Sequence, residues 1–350
     1  MFGRRFLSRG TKFSVIALLL CTLNSINPVA HGANRSTPEI KPISSIKDLP
    51  KRFKDIKFLA FQKMNLNQKM NLSSPMPISI LISPNSHDCS KNAIKVIRGV
   101  EKSYQKTLLP RSLTLIFANL KQDRKWVKER TGEILEDKYR SYQGTEEINP
   151  ETVNGEGDGV LWAINPCRNS GKLSSEEEVE IAHGFAHVIQ TMQFTAKEEN
   201  WGRWGEVPRW MLEGGATFTH NYWKNRRDYE TYFQNSENLY DLSKMQKKFF
   251  FNFLKYDTKF QPLWTYTDQW ENQRAYDVGA FVCEILVAYK GPESIMNLYS
   301  EYLVDRDFEA AFKRVYGITW REAHPIIADT IYRMLQWNAS YFPWYNGSKI

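Results

Sequence analysis

The stretch EIAHGFAHVIQ, Glu180–Gln190, decides how the rest of the chain is read. His183 and His187 stand four residues apart, and Ile181, Ala182, Phe185, Ala186, Val188 and Ile189 surround them with an apolar pattern of helical period. The pair Ser175-x-x-Glu178 ahead of it is a capping box, so a helix is expected to open there and run to about Phe194. On such a helix two residues four apart share a face, so both imidazoles project the same way. Two neutral imidazoles on one face are what a tetrahedral divalent ion takes from a helix. Partly buried packing histidines are the plainer reading of the pair by itself.

Downstream, PRWMLEGGATF, Pro208–Phe218, begins a second helix that runs through Trp223 and carries Glu213. Its carboxylate would complete a two-histidine, one-glutamate set with one open position. AYDVGAFVCEIL, Ala275–Leu286, begins a third helix, Tyr276–Lys290, closed by Gly291 with Pro292 starting the next. Asp307 caps a short helix that ends at Gly317, and Thr319-x-x-Glu322 is a second capping box for the last long helix.

Upstream the pattern alternates. PISILIS, Pro77–Ser83, SLTLIFA, Ser112–Ala118, and GVLWAIN, Gly159–Asn165, read as strands, with an amphipathic helix over Cys89–Gln105 between the first two. Gln122–Arg130 has helical character, and the long polar run from Tyr139 to Asp158 reads as either a functional loop or a disordered segment. A few strands followed by a helical run give an α+β fold with a small mixed sheet and a mostly helical C-terminal lobe.

The N-terminus carries an export pattern. Met1–Lys12 is basic, FSVIALLLCTL, Phe13–Leu23, is an apolar run of 11 residues, and Ala30-His31-Gly32 offers small residues for cleavage. The run is shorter than the roughly 20 residues of a membrane-spanning helix, which favours a cleaved signal over the alternative of an uncleaved anchor. Residues 1–32 are therefore assigned to a signal peptide, 33–75 to a polar extension with one amphipathic stretch at Phe53–Phe61, acting as a tether or accessory helix, and 76–345 to the folded domain. A secreted or extracytoplasmic location follows. Cys89, Cys167 and Cys283 remain in the mature chain. Outside the cytoplasm Cys89 and Cys167 can pair, although spacing alone does not fix the bond, and Cys283 sits in an apolar run suited to a buried thiol.

Composition sets outer bounds. With 350 residues, 42% of them hydrophobic, the chain is neither a disordered tail nor a multi-span membrane protein. The formal net charge is +8, and removal of the four basic residues of the first 32 positions lowers it to +4. The remaining Lys/Arg clusters are interrupted by acids and aromatics, so no nucleic-acid partner is indicated, and no stable membrane span remains once the signal is cleaved.

Taken in order, the three helical blocks resemble the gluzincins, zinc metallopeptidases in which an HExxH helix is followed by a helix supplying a Glu. PRWMLEGGATF is similar to their third-ligand helix, and AYDVGAFVCEIL to the helix carrying the catalytic Tyr of aminopeptidase-type members. YLVDRDFEAAFKRVYGITWREA, Tyr302–Ala323, resembles their closing helices. The resemblance covers about Glu176 to Ala328. It implies a zincin-like domain with a cleft between sheet and helical lobe, zinc held by His183, His187 and Glu213, and Tyr276 donating to an oxyanion. It also implies an edge strand, by chain order GVLWAIN, that holds a peptide or protein ligand in an extended conformation.

Two departures stand out. The interval of 25 residues between His187 and Glu213 is longer than the aminopeptidase-type spacing, and Gly184 occupies the position of the HExxH glutamate. That glutamate takes a proton from metal-activated water, and losing such a base costs about 10²–10⁴ in rate. Gly also disfavours a helix interior by about 1 kcal/mol relative to Ala, so it is not there for helix stability. Glu180, one turn before His183, is either a displaced base or extra ligand, or a surface carboxylate continuing the acidic first turn. His220 is either an outer partner of the ligands or a partly buried packing residue. Tyr276 and the tryptophans at 201, 204, 210 and 223 have packing as their alternative.

The sequence thus leads to an exported, degenerate gluzincin-like protein, a pseudoenzyme that keeps zinc but has little or no peptidase activity and serves binding or regulation. The alternatives are an active metallopeptidase using a substitute base such as Glu180, and a metal-free structural protein.

Overall fold

A four-stranded sheet carries the N-terminal half. In a computed structural model of the chain, residues 40–72, 74–119, 150–153, 158–164, 171–195, 207–234, 242–256 and 269–341 are described, with isolated positions between them. Strands β1 (Ile78–Ile82), β2 (Ser112–Ala118), β3 (Pro150–Val153) and β4 (Asp158–Ile164) lie in the order β1-β2-β4-β3. The first three in that order run parallel, with Ile80 opposite Leu115 and Leu115 opposite Leu161, and β3 runs antiparallel to β4. The sheet is therefore mixed and the fold is α+β. Leu113, Leu115 and Phe117 of β2 are fully buried, as expected for a central parallel strand.

Two readings are corrected here. GVLWAIN, expected to line a cleft as an edge strand, is interior, because β3 covers it. The edge strand β3 lies within the segment 139–158 that reads as a loop. It is only four residues long and opens with Pro150, a residue confined to strand ends and edges.

The helices follow as α1 (Ile56–Lys69), α2 (Ser90–Ser103), α3 (Ser175–Thr195), α4 (Arg209–Asn225), α5 (Tyr229–Gln234), α6 (Lys247–Tyr256), α7 (Gln269–Lys290), α8 (Glu293–Asp305), α9 (Phe308–Tyr316) and α10 (Trp320–Tyr341). Helix α2 is the crossover between parallel β1 and β2, burying Ala93, Val96, Ile97 and Val100. The capping box of α3 falls one residue earlier than its sequence suggests. Ser174 and Glu177 exchange the reciprocal bonds, Glu177 N to Ser174 Oγ at 3.1 Å and Ser174 N to Glu177 Oε2 at 2.6 Å. Two serines followed by three glutamates leave that register ambiguous in the sequence. Asp307 caps α9, Gly317 ends it at φ 87°, and Thr319 with Glu322 forms the box that opens α10. Helix α7 starts at Gln269, so Tyr276 sits two turns inside it rather than at its first residue.

Residues from Ile40 on belong to one compact unit. Within the segment read as a polar extension, Ile43, Ile46, Leu49, Ile56, Ala60 and Met64 are buried, and α1 packs on α7. The disulfide Cys89–Cys167 ties the start of α2 to the loop after β4, across 78 residues, and Cys283 is a buried free thiol. Closing a loop of that length stabilises a fold by about 4 kcal/mol on the chain-entropy account. Trp210 and Trp223 are core residues, whereas Trp201, Trp204, positions 124, 127, 128 and 130 and the export signal lie outside the described residues. Among the described residues no helix is long and apolar enough to cross a membrane.

Candidate metal centre

Helix α4 packs against both α3 and α7, and this three-helix contact builds the site. The α4–α7 crossing depends on glycine. A Cβ on Gly214 would stand 2.2 Å from the Gly279 carbonyl carbon, and one on Gly279 would stand 2.4 Å from the Trp210 oxygen. No side chain fits there, so the two backbones touch. Glu213 precedes one of these glycines, and Tyr276 lies one turn before the other. The close approach brings carboxylate and phenol together. Tyr299 of α8 donates to the Met211 carbonyl at 3.1 Å, anchoring the first turns of α4.

His183 and His187 share a face as their spacing suggests, and Glu213 converges on them despite the long interval between. Their ligand atoms lie within 4.8 Å of one another, a group that could hold a metal ion. Glu213 Oε2 is 3.4 Å from His187 Nε2 and 3.8 Å from His183 Nε2, and the two Nε2 atoms are 3.1 Å apart. The side chains of His183, His187 and Glu213 are 16%, 12% and 8% exposed, so the group is largely buried yet not sealed from solvent. Two imidazoles and one carboxylate suit zinc and other borderline divalent ions, with a coordination position left open.

The electrostatics match that use. Burial, then repulsion from His187, outweighs the pull of Glu213 and lowers His183 to about 3, so its ring is neutral at pH 7. Burial pushes Glu213 up, but the hydrogen bond and charge of His187, together with His183 and Arg209, overcome it and hold the carboxyl at about 2. Metal ligands must be deprotonated, and both groups already are.

Tyr276 stacks on His183 with centroids 6.1 Å apart and has Glu213 and Arg209 as hydrogen-bonding neighbours. Burial, then the Glu213 charge, holds its phenol well above the usual tyrosine value, so it stays a donor. Glu180 does not join the three ligands. It lies 3.7 Å from Nδ1 of His220 with its side chain 47% exposed, and the His220 ring stands 6.2 Å from that of His183.

Two polar residues of the site are missed by the sequence reading. Arg209, 7% exposed, has its guanidinium 5.9 Å from the Tyr276 ring centroid. Gln190 is fully buried and bonded to His187. Gln190 had a legible signal, since it is polar on an apolar stripe one turn after a candidate ligand. Arg209 had none, because a basic residue in the first turn of a helix is ordinarily solvated.

Comparison with protein-family models, curated proteins and solved structures returns no match to this chain.

Proposed function

We propose that this chain is an exported, degenerate gluzincin-like protein of zincin-like fold, which holds zinc through His183, His187 and Glu213 and binds an extended peptide or protein segment without hydrolysing it efficiently. The observation that carries this reading is the convergence of two imidazoles and a carboxylate from α3 and α4, with a glycine directly after the first histidine.

Zinc in such a site supplies a Lewis acid and lowers the pKa of a bound water to about 7. The chain's own residues supply less than a peptidase needs. Glu213 and the imidazoles hold the ion. Tyr276, kept protonated, can donate to a carbonyl oxygen of a bound ligand. At position 184 there is no side chain to accept a proton. An extended ligand would add to the outer edge of β3, the strand that ends the sheet beside β4. The Cys89–Cys167 bond supports export, since disulfides persist in oxidising compartments.

A second reading has one observation in its favour. The Glu180–His220 pair sits beside His183 and would act as a substitute base in an active metallopeptidase. Metal analysis and hydrolysis of unfolded casein separate these readings. Stoichiometric zinc, no hydrolysis by the unaltered chain, and chelator-sensitive hydrolysis in Gly184→Glu are the expected results. Chelator-sensitive cleavage by the unaltered chain that disappears in Glu180→Ala would select the second reading. Protein free of metal after equilibration with zinc would leave only the metal-free structural role.

A further inference from the structure

We infer that Gln190 is a positioning residue that selects the nitrogen His187 presents to the metal, and that it does so by bridging the two helices that carry the ligands. The inference rests on the metal-centre reading above and adds to it the group that sets the ligand's orientation.

Gln190 Nε2 donates to the Leu212 carbonyl at 2.9 Å, and Gln190 Oε1 lies 2.7 Å from His187 Nδ1. A peptide carbonyl can only accept, so the amide's NH₂ end must face Leu212. Its oxygen then faces His187, and an oxygen can only accept there. His187 Nδ1 therefore carries a proton whatever the charge of the ring, and in the neutral ring Nε2 is the nitrogen left to take an ion. That nitrogen is the one beside His183 Nε2 and Glu213 Oε2. Hydrogen bonds of this kind from a ligand histidine fix its tautomer and ring orientation.

The other end of the amide acts on the second helix. Leu212 immediately precedes Glu213, so one buried side chain joins His187 on α3 to the backbone that carries the third ligand on α4. Gly215 makes room for it, because a Cβ there would stand 2.8 Å from Gln190 Nε2. Gln190 has no exposed surface, so water does not compete for either bond.

Two substitutions separate positioning from packing. Gln190→Glu keeps an oxygen acceptor toward His187 while changing the contact with Leu212. Gln190→Met keeps the volume and removes both bonds. Zinc affinity is measured by competition with a chromophoric chelator, thermal stability alongside it, and the His187 tautomer by ring ¹⁵N shifts in metal-free protein at about pH 8, where a free imidazole is neutral. Gln190→Met is expected to bind zinc about 10–100-fold more weakly and to show mixed His187 tautomers. Gln190→Glu is expected to keep both near those of the unaltered chain even where its melting temperature falls. Equal affinity losses in the two variants, tracking their stability, would overturn the inference, as would a His187 carrying its proton on Nε2 in the unaltered chain. If the unaltered chain binds no zinc, the proposed function fails while the tautomer measurement still decides the role of Gln190.

Discussion

Helix α7 passes two buried carboxylates that live under opposite rules. At the candidate metal centre, beside Tyr276, Glu213 faces His183 and His187, which crowd the same point with ring nitrogens. Two turns further along α7, Glu284 accepts a hydrogen bond from Tyr232 of α5 and lies near the ammonium of Lys57 on α1. Lys57 is itself buried and donates to the Phe233 carbonyl at 3.4 Å. Burial raises Glu284, with Lys57 and Tyr232 opposing, and burial lowers Lys57, with Glu284 opposing. That second cluster is closed: one acid, one base and a hydroxyl donor balance among themselves. The first is open, because three ligand atoms converge on one point and could hold a metal ion. Burial of charge is common to both clusters; converging lone pairs belong to one.

The comparison breaks most visibly if a ligand is removed. Zinc at 1,000 times its dissociation constant stabilises the folded state by about 4 kcal/mol, and His187→Ala should abolish that gain in thermal unfolding. Substituting Lys57 should leave the zinc-dependent gain intact. A zinc shift that survives His187→Ala would show the ion binding elsewhere.

The closed cluster should fail in a different way. Lys57→Met leaves Glu284 buried without its counter-charge and should cost about 3 kcal/mol in urea unfolding. The double variant Lys57→Met, Glu284→Gln should recover most of it, since glutamine still accepts from Tyr232. A double variant as unstable as the single one would mean that packing, not charge balance, holds that region.

The smallest effect sharpens the contrast by its sign. In metal-free protein Glu213, held at about 2 against an ordinary 4.5, contributes stability that is complete above pH 4.5 and is lost as acidification carries it through pH 2. Glu284 is raised above 4.5, so its contribution is greatest below that pH and declines as pH rises beyond it. Unfolding free energies across the acid range should lose the first slope in Glu213→Gln and the second in Glu284→Gln. The same change in both variants would erase the distinction between the two carboxylates.

What the sequence made legible follows from how local each signal is. The capped helices α3, α9 and α10 and the apolar runs of β1, β2 and β4 carry their own start, stop and period, and they form close to where they read. His183 and His187 share one helix, so their common face needs nothing beyond periodicity. The strand β3 was illegible because four residues beginning with proline have no alternation to show. The buried side of α1 showed in the amphipathic stretch Phe53–Phe61 and was hidden beyond it among Lys, Gln and Asn. The meeting of Glu213 with Tyr276 depends on two helices choosing each other through Gly214 and Gly279, and no local pattern states that choice. Gln190 stood in plain view, but its meaning depends on the Leu212 carbonyl, which belongs to another element.

That glycine crossing has a structural corollary. Where helices meet through side chains, rotamers can absorb small errors in alignment; where main chain rests on main chain, they cannot. The height of the phenol over the carboxylate is thus set by residue count along α7. Inserting one residue between Tyr276 and Gly279 would swing the ring by about 100° around its axis and carry it out of the cluster, with every side chain of the trio still in place.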